Sequence, residues 1–534
     1  MFMIHNNSAA CWRAVAFLVL LILNLSGPGG LLAADGLVSN AALLTIKNSE
    51  LRKHVSVLAS DTFEGREAGT AGGRASGAYI VDRLKKLGAQ PAADQGYFQE
   101  FGYGYRNILC RLPGSDPKLK QNVILVGAHY DHVGYGNQRN SRGPIGQIHN
   151  GADDNASGTA GLLEIIEAFR SMDRAPKRTV LFAFWDAEEK GLLGSEHWVQ
   201  YPTVALSRIR LTINTDMIGR VRDRRLIIWG TRTAPGLRRF VSEQNHGALT
   251  VTFPWEVRRD SDHYPFYTRS IPFLMLHSGK HEEYHRPTDD PETLNFQGLE
   301  EASRLLFRLV RQAADAPKLP QFRGDAFEET KAVRIQAERS LPRPSPRLGI
   351  AWDHSSPDTV SRPAKGIVEI TSVVAGSPAE RADLRAGDQI IEFAGHPTKN
   401  FQDFRTLVLT ARNPVAVKVR RDKSDELVLL NVKLDGEPTR LGIAWRVDDA
   451  EPNCVILNQV IPGSPAGVSG LKVNDRVYSV NDMAVASSRT FFEMVTQGNG
   501  SLNLRIGRAG SLKKVIVNLV PRIKMPQAAS QKSP

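Results

Sequence analysis

Histidines and carboxylates that could hold metal ions are gathered in five short segments of this chain. GAHYDH contains His129 and Asp131, NGADDNASG contains Asp153 and Asp154, and WDAEEKG contains Glu188 and Glu189. NTDMIG contains Asp216, and EEYHRPTDD contains His285. Singly, each has a plain explanation. An isolated H-x-D is usually a turn, Asp-Asp ahead of a helix caps it, and glutamates at a helix start suit its dipole. Together they describe a metal site. Imidazole and carboxylate ligands suit zinc, and a catalytic site keeps one position open for water. Two histidines and several carboxylates exceed the needs of one zinc. A bridged pair of ions, roughly 3.5–4 Å apart in such sites, would use them.

Residues so far apart in sequence must be brought together by the fold. Each segment lies at the end of an apolar run or in the loop after it. NVILVGAHYDH (122–132), RTVLFAFW, IRLTINTDMIG (209–219), LIIWG (226–230) and IPFLMLHS (271–278) read as strands. Between and around them, 72–88, 156–172 and 296–315 show helical spacing of apolar residues. The alternation predicts an α/β class with a mostly parallel central sheet flanked by helices. Ligand sites in such sheets form at the carboxyl ends of the strands. That places all five segments on one edge.

The rest of the chain bounds the setting. At 534 residues, two to four domains are expected. Residues 1–34 read as a signal peptide: Arg13 precedes the apolar run 14–25, with cleavage near Ala34. The expected location is therefore the periplasm or outside the cell. No later run reaches the roughly 18 apolar residues a membrane span needs. The net charge is +12, but Lys and Arg are scattered without interleaved aromatics, so no nucleic-acid partner is expected. Cys11 falls in the signal, and Cys110 and Cys454 fall in different expected domains, so no disulfide framework is predicted.

Prolines mark residues 316–346 as a linker after a catalytic domain at 35–315. An internal repeat follows. RLGIAW occurs at 347–352 and 440–445, and AGSPA at 375–379 returns as PGSPA at 462–466. The modules, 347–435 and 436–524 before a tail at 525–534, resemble bacterial PDZ domains in tandem. The resemblance implies peptide capture by strand addition beside Leu348, Gly349 and Ile350 in the first module. Leu441, Gly442 and Ile443 are their counterparts in the second. Protein C-termini are the implied partners. Asn474 stands where the first module has Gly387, which predicts a strained or remodelled turn.

HYDH, GADDNASG, the AEE after an apolar strand, NTDMIG and YHRPTDD, in this order, resemble the co-catalytic di-zinc exopeptidases. Bacterial leucyl aminopeptidase, glutamate carboxypeptidase and glutaminyl cyclase belong to that group. The resemblance implies two zinc ions bridged by Asp153, with Glu189 and His285 completing one site and His129 and Asp216 the other. Asp131 would orient the His129 imidazole, Glu188 would be the general base, and Asp154 would shape the loop. Candidate oxyanion donors are Arg258, Arg259, Tyr264 and Tyr284. Ser261-Asp262-His263 is expected to be a turn, since three consecutive residues cannot form a triad, and His149 a loop residue. The implied activity is that of an exported aminopeptidase acting on peptides. A carboxypeptidase, a cyclase-like transferase and a non-catalytic scaffold are the rivals.

Overall fold

The computed structural model describes residues 41–342, 344–352, 368–398, 401–421, 426–498 and 500–519. The expected signal segment and tail lie outside the described residues. The chain divides into two compact units, one ending at Glu328 and the other beginning at Glu329.

Among the described residues, the first unit is built on a nine-stranded sheet. In chain order the strands are β1 (Gln90–Pro91), β2 (Phe98–Phe101), β3 (Tyr105–Leu112), β4 (Val123–His129) and β5 (Thr179–Trp185). They continue with β6 (Ile209–Thr215), β7 (Arg225–Trp229), β8 (Thr250–Thr252) and β9 (Phe273–His277). Across the sheet the order is β1-β3-β5-β4-β6-β9-β7-β8, with β2 also on β3. The four central strands, β5, β4, β6 and β9, run parallel. β3 joins β5 antiparallel and β7 joins β9 antiparallel. The sheet is thus parallel at its centre and mixed at its flanks.

Alternation within β5 shows why the centre is stable. Val180, Phe182 and Phe184 join one core and Leu181, Ala183 and Trp185 the other, all at most 1% exposed. A buried residue of this size contributes about 1.5–3 kcal/mol. Helices cover the first core: α1 (Asn48–Leu58), α2 (Ala71–Lys86), α3 (Gly158–Arg170) and α5 (Phe296–Asp315) all place buried residues in it. α4 (Leu193–Gln200) sends Trp198 into the opposite core, against Trp185 and Phe266. Gly127 lets β4 lie under the Trp185 indole, because a Cβ there would come within 2.5 Å of its Nε1.

The expected linker divides in two. Residues up to 328 lie against the first unit: the Tyr267 hydroxyl donates to the Ala326 carbonyl, and Phe322 and Phe327 pack on the Tyr267 ring. Lys331–Ala337 is helical.

The second unit contains two sheets of one pattern. β10 (Ile350–Trp352), β11 (Val368–Val373), β12 (Gln389–Phe393), β13 (His396–Pro397), β14 (Val415–Arg420) and β15 (Leu427–Val432) form the first. β16 (Ile443–Arg446), β17 (Val455–Val460), β18 (Arg476–Val480), β19 (Met483–Ala484), β20 (Ser501–Arg508) and β21 (Ser511–Asn518) form the second. α6 (Phe401–Thr410) and α7 (Ser488–Gln497) occupy equivalent places. β10 and β16 each end their sheet. Asn474 does not remodel the turn. Its φ of 69° matches the left-handed conformation of Gly387 at 89°, which asparagine tolerates better than other side chains.

Candidate metal centre

The five segments converge at the carboxyl ends of the central strands. β4 ends in His129, β5 leads into Glu188 and Glu189, and β6 is followed directly by Asp216. Three sharp turns aim these side chains. Ala187, Met217 and His285 all have φ near +55°. Non-glycine residues hold that conformation at a cost of about 1–3 kcal/mol each, and functional sites are where it persists. The turn at Ala187 directly precedes the adjacent glutamates, so the chain leaves β5 abruptly before presenting them.

Asp154, not Asp153, lies between the two histidines. Its Oδ1 is 3.4 Å from His129 Nε2, and its Oδ2 is 3.1 Å from His285 Nε2. Asp153 faces the other way. Its Oδ1 accepts from the Gly219 amide at 2.6 Å and the Ser157 hydroxyl at 3.0 Å, and its Oδ2 lies 3.2 Å from His281 Nε2. Asp154, rather than Asp153, thus occupies the place expected of a bridging residue. The backbone supplies the reason: Asp154 and Asn155 break the helical geometry of the loop, whereas Asp153 is consumed by bonds that hold it. The Asp289 carboxylate accepts from both the Asp153 and Asp154 amides and fixes this arrangement.

The remaining expected residues lie where the sequence placed them. His129 Nε2 is 3.4 Å from Asp216 Oδ1, and His285 Nε2 is 3.2 Å from Glu189 Oε2. Glu188 falls within one group of ligand-capable atoms with His129 and Asp216, all within 4.8 Å of one another. Asp131 has a broader role than expected. Its carboxylate accepts from the amides of both Glu188 and Glu189, at 3.0 and 3.3 Å, while His129 Nδ1 is 3.7 Å from Oδ1 and 3.2 Å from the Asp131 carbonyl.

These residues fit a pair of metal ions. Donors bound at about 2.0–2.1 Å to a tetrahedral ion stand about 3.3 Å from one another. The four histidine–carboxylate separations, from 3.1 to 3.4 Å, match that spacing. Buried His285 Nε2 makes no aligned hydrogen bond although two carboxylate oxygens lie 3.1 and 3.2 Å away, which suits a ligand atom.

Charges within the site shift its titrating groups strongly. Burial alone would lower His129, but the charges of Glu188 and Asp216 and its hydrogen bonds outweigh that and raise it well above the usual histidine range. Burial would raise Glu189, yet His285 and His132 hold it well below the usual carboxylate range. Glu188 moves the opposite way. Burial pushes it well up, Glu189, Asp262 and Asp216 add to the rise, and His129 opposes it. Two adjacent glutamates thus have opposite proton affinities. Beside them is a cavity of about 220 Å³ whose walls include Ile227, Trp229, Met275, Arg258, Lys280 and Tyr284.

Residues 107–310 match peptidase family M28, and residues 369–421 and 430–518 match PDZ domains. The chain carries an M28 peptidase domain followed by two PDZ domains. Over 258 residues it is 28% identical to leupeptin-inactivating enzyme 1 of Streptomyces exfoliatus, covering 47% of this chain and 54% of that protein. Over 211 residues it is 28% identical to aminopeptidase YwaD of Bacillus subtilis, covering 38% and 43%. The chain spans about half the length of these curated relatives. The structure of the Legionella pneumophila LapA aminopeptidase aligns at 20% identity with a TM-score of 0.44, covering 52% of this chain and 74% of that one.

Other residues near the site are expected only in turns or loops, or carry no expectation. Ser261, Asp262 and His263 form a buried turn: Asn214 donates to the Ser261 hydroxyl, the Ser195 hydroxyl donates to Asp262, and His263 stacks on Phe273. His149 is held by the Gln147 carbonyl and Ser141. Arg66 escaped notice. It is 1% exposed and donates to the carbonyls of Leu58, Tyr130, Asn150 and Gly151 beneath the site.

In the PDZ domains, Gly349 and Gly442 have φ of 78° and 80°, and a Cβ at either would come within 2.2 Å of Ser377 or Ser464 Cβ. The Leu348 and Leu441 carbonyls accept from Ala379 and Ala466. Ile350 and Ile443 open the edge strands β10 and β16.

Proposed function

We propose that this protein is an exported, zinc-dependent aminopeptidase that holds two metal ions and removes the N-terminal residue of peptides, with its PDZ domains recruiting peptide or protein partners. The observation that carries this reading is the Asp154 carboxylate, whose oxygens are divided between His129 and His285. Asp154 would hold both ions, His129 and Asp216 completing one site and Glu189 and His285 the other. The ions would polarise the scissile carbonyl and acidify the attacking water. The name of the Bacillus subtilis relative supports aminopeptidase polarity, and the segment 1–34 supports export.

The residues around the ions supply the proton path. Glu188 would take a proton from the attacking water on its carboxylate and return it to the leaving nitrogen as the C–N bond breaks. Tyr284 would donate to the developing oxyanion. Burial, and then the charges of Asp154 and Glu189, raise its pKa, so the hydroxyl stays protonated. Of the other candidates, Arg259 pairs with Glu196 at 2.8 Å and Tyr264 packs beside Tyr267.

Mass spectrometry of peptides incubated with the zinc-loaded protein tests the reading. Each peptide is supplied free, N-acetylated and C-amidated. N-terminal trimming of free and amidated but not acetylated peptides is expected. Loss from the C-terminus would overturn the polarity, and no trimming would overturn the activity.

A further inference from the structure

His132 has no part in that proton path, yet it is buried against the metal centre. It is 1% exposed, and its Nδ1 lies 2.9 Å from Glu189 Oε1. Its ring packs edge-on against His285, with centroids 5.6 Å apart. Gly151 leaves room for it, since a Cβ there would come within 2.5 Å of the ring. The His132 amide donates to the Arg66 carbonyl, so the residue is anchored on two sides.

The distances separate a ligand from a neighbour of a ligand. Around one tetrahedral ion, donor atoms stand about 3.3 Å apart. His285 meets that spacing with both Asp154 and Glu189, at 3.1 and 3.2 Å. His132 does not. Its Nδ1 is 3.9 Å from Asp154 Oδ2, and its 2.9 Å approach to Glu189 is a hydrogen-bond length. Glu189 therefore faces two histidines with different oxygens: Oε1 meets His132 and Oε2 meets His285. A carboxylate oxygen accepts, so Nδ1 is the donor.

We propose that His132 is a positioning residue that commits Glu189 to bind metal through Oε2 alone. Engaging Oε1 blocks two-point coordination by the carboxylate. One-point coordination favours a small ion with few ligands, such as zinc, over calcium, which takes more oxygens and accepts carboxylates in either mode. His132 is thereby a determinant of metal choice as well as affinity. This inference rests on the two-metal reading above.

Zinc affinity and stoichiometry measured by competition with a chromophoric chelator test it, on the full chain and three variants. His132→Leu and His132→Ala remove the donor, and either one that folds suffices. His132→Asn places an amide nitrogen near the position of Nδ1. The donor-free variants should keep one zinc near wild-type affinity and bind the other about 10–100-fold more weakly, the usual effect of losing such a partner. Their preference for zinc over calcium should narrow, and His132→Asn should recover most of both losses. Wild-type affinity in a donor-free variant would overturn the proposal, as would His132→Asn behaving like His132→Ala. Fewer than two zinc ions on the wild-type protein would instead overturn the two-metal reading, and this proposal with it.

Discussion

The Asp131 carboxylate accepts a hydrogen bond from the backbone amide of Glu188 at 3.0 Å, and its second oxygen holds the next amide, that of Glu189. One side chain thus fixes the turn from which both the proposed base and a proposed ligand project. Asp131→Asn would turn an amide N–H toward one of those donors. The expected result is a 10–100-fold loss in both kcat and zinc retention, measured by peptide turnover and metal content after dialysis. A change in turnover without loss of zinc would confine the role of Asp131 to Glu188.

Glu188→Gln keeps the shape of the pocket and removes the proton acceptor. Turnover should fall about 10²–10⁴-fold, while zinc content and KM stay near wild type. Loss of zinc in this variant would make Glu188 a ligand instead.

The two neighbouring aspartates should separate cleanly. Asp154→Asn should release zinc from both positions, because each oxygen faces a different histidine. Asp153→Ala should instead destabilise the fold, since it strips the acceptor from the Gly219 amide, while the Ser157 hydroxyl keeps the residue-153 carbonyl. Each lost partner of a buried group costs about 1–3 kcal/mol. Zinc titration and denaturant melts of the two proteins make the comparison.

Far from the centre, Glu164 is 1% exposed and lies 3.5 Å from His54, which also meets the Tyr79 hydroxyl at 2.7 Å. Burial, then Glu167, pushes Glu164 up to about 8 from 4.5. Its folded pKa exceeds the unfolded one, so stability is full below about pH 4.5 and is lost as pH rises through about 8. Burial lowers His54 to about 4 from 6.5, so its contribution falls as pH drops through that window. Glu164→Gln should abolish this decline between about pH 4.5 and 8, which cannot exceed about 1.4 kcal/mol per pH unit for one proton. Melts at pH 5, 7 and 9 read this directly.

Gly349→Ala should unfold the first PDZ domain at lower denaturant without altering peptide trimming. The left-handed backbone alone costs alanine about 1–2 kcal/mol, and the 2.2 Å approach to Ser377 Cβ adds to it. A wild-type melting profile would contradict the close packing at that turn.

Much of this was legible because strands leave a simple trace. The runs before His129, Glu188 and Asp216 are apolar, and a sheet buried on both faces leaves polar residues only at its ends. The repeated RLGIAW and GSPA elements exposed the two PDZ domains in the same way. Which of Asp153 and Asp154 turns toward the histidines is not legible, because adjacent residues of one type carry no sign of which will fall on a break in the helical backbone. His132 stood in the quoted HYDH motif without a role, since its hydrogen bond to Glu189 crosses from one strand end to another. Arg66 bonds only to main-chain carbonyls, and such partners have no sequence signature.

The buried Arg66 guanidinium sets the charge balance beneath the proposed ligands. Burial lowers its pKa to about 10, while Asp154, Asp289, Asp131 and Glu189 pull it back up, so it stays charged at neutral pH beneath them. Tied to backbone carbonyls on either side of the proposed ligands, this cation offsets part of their negative charge whether or not metal is bound.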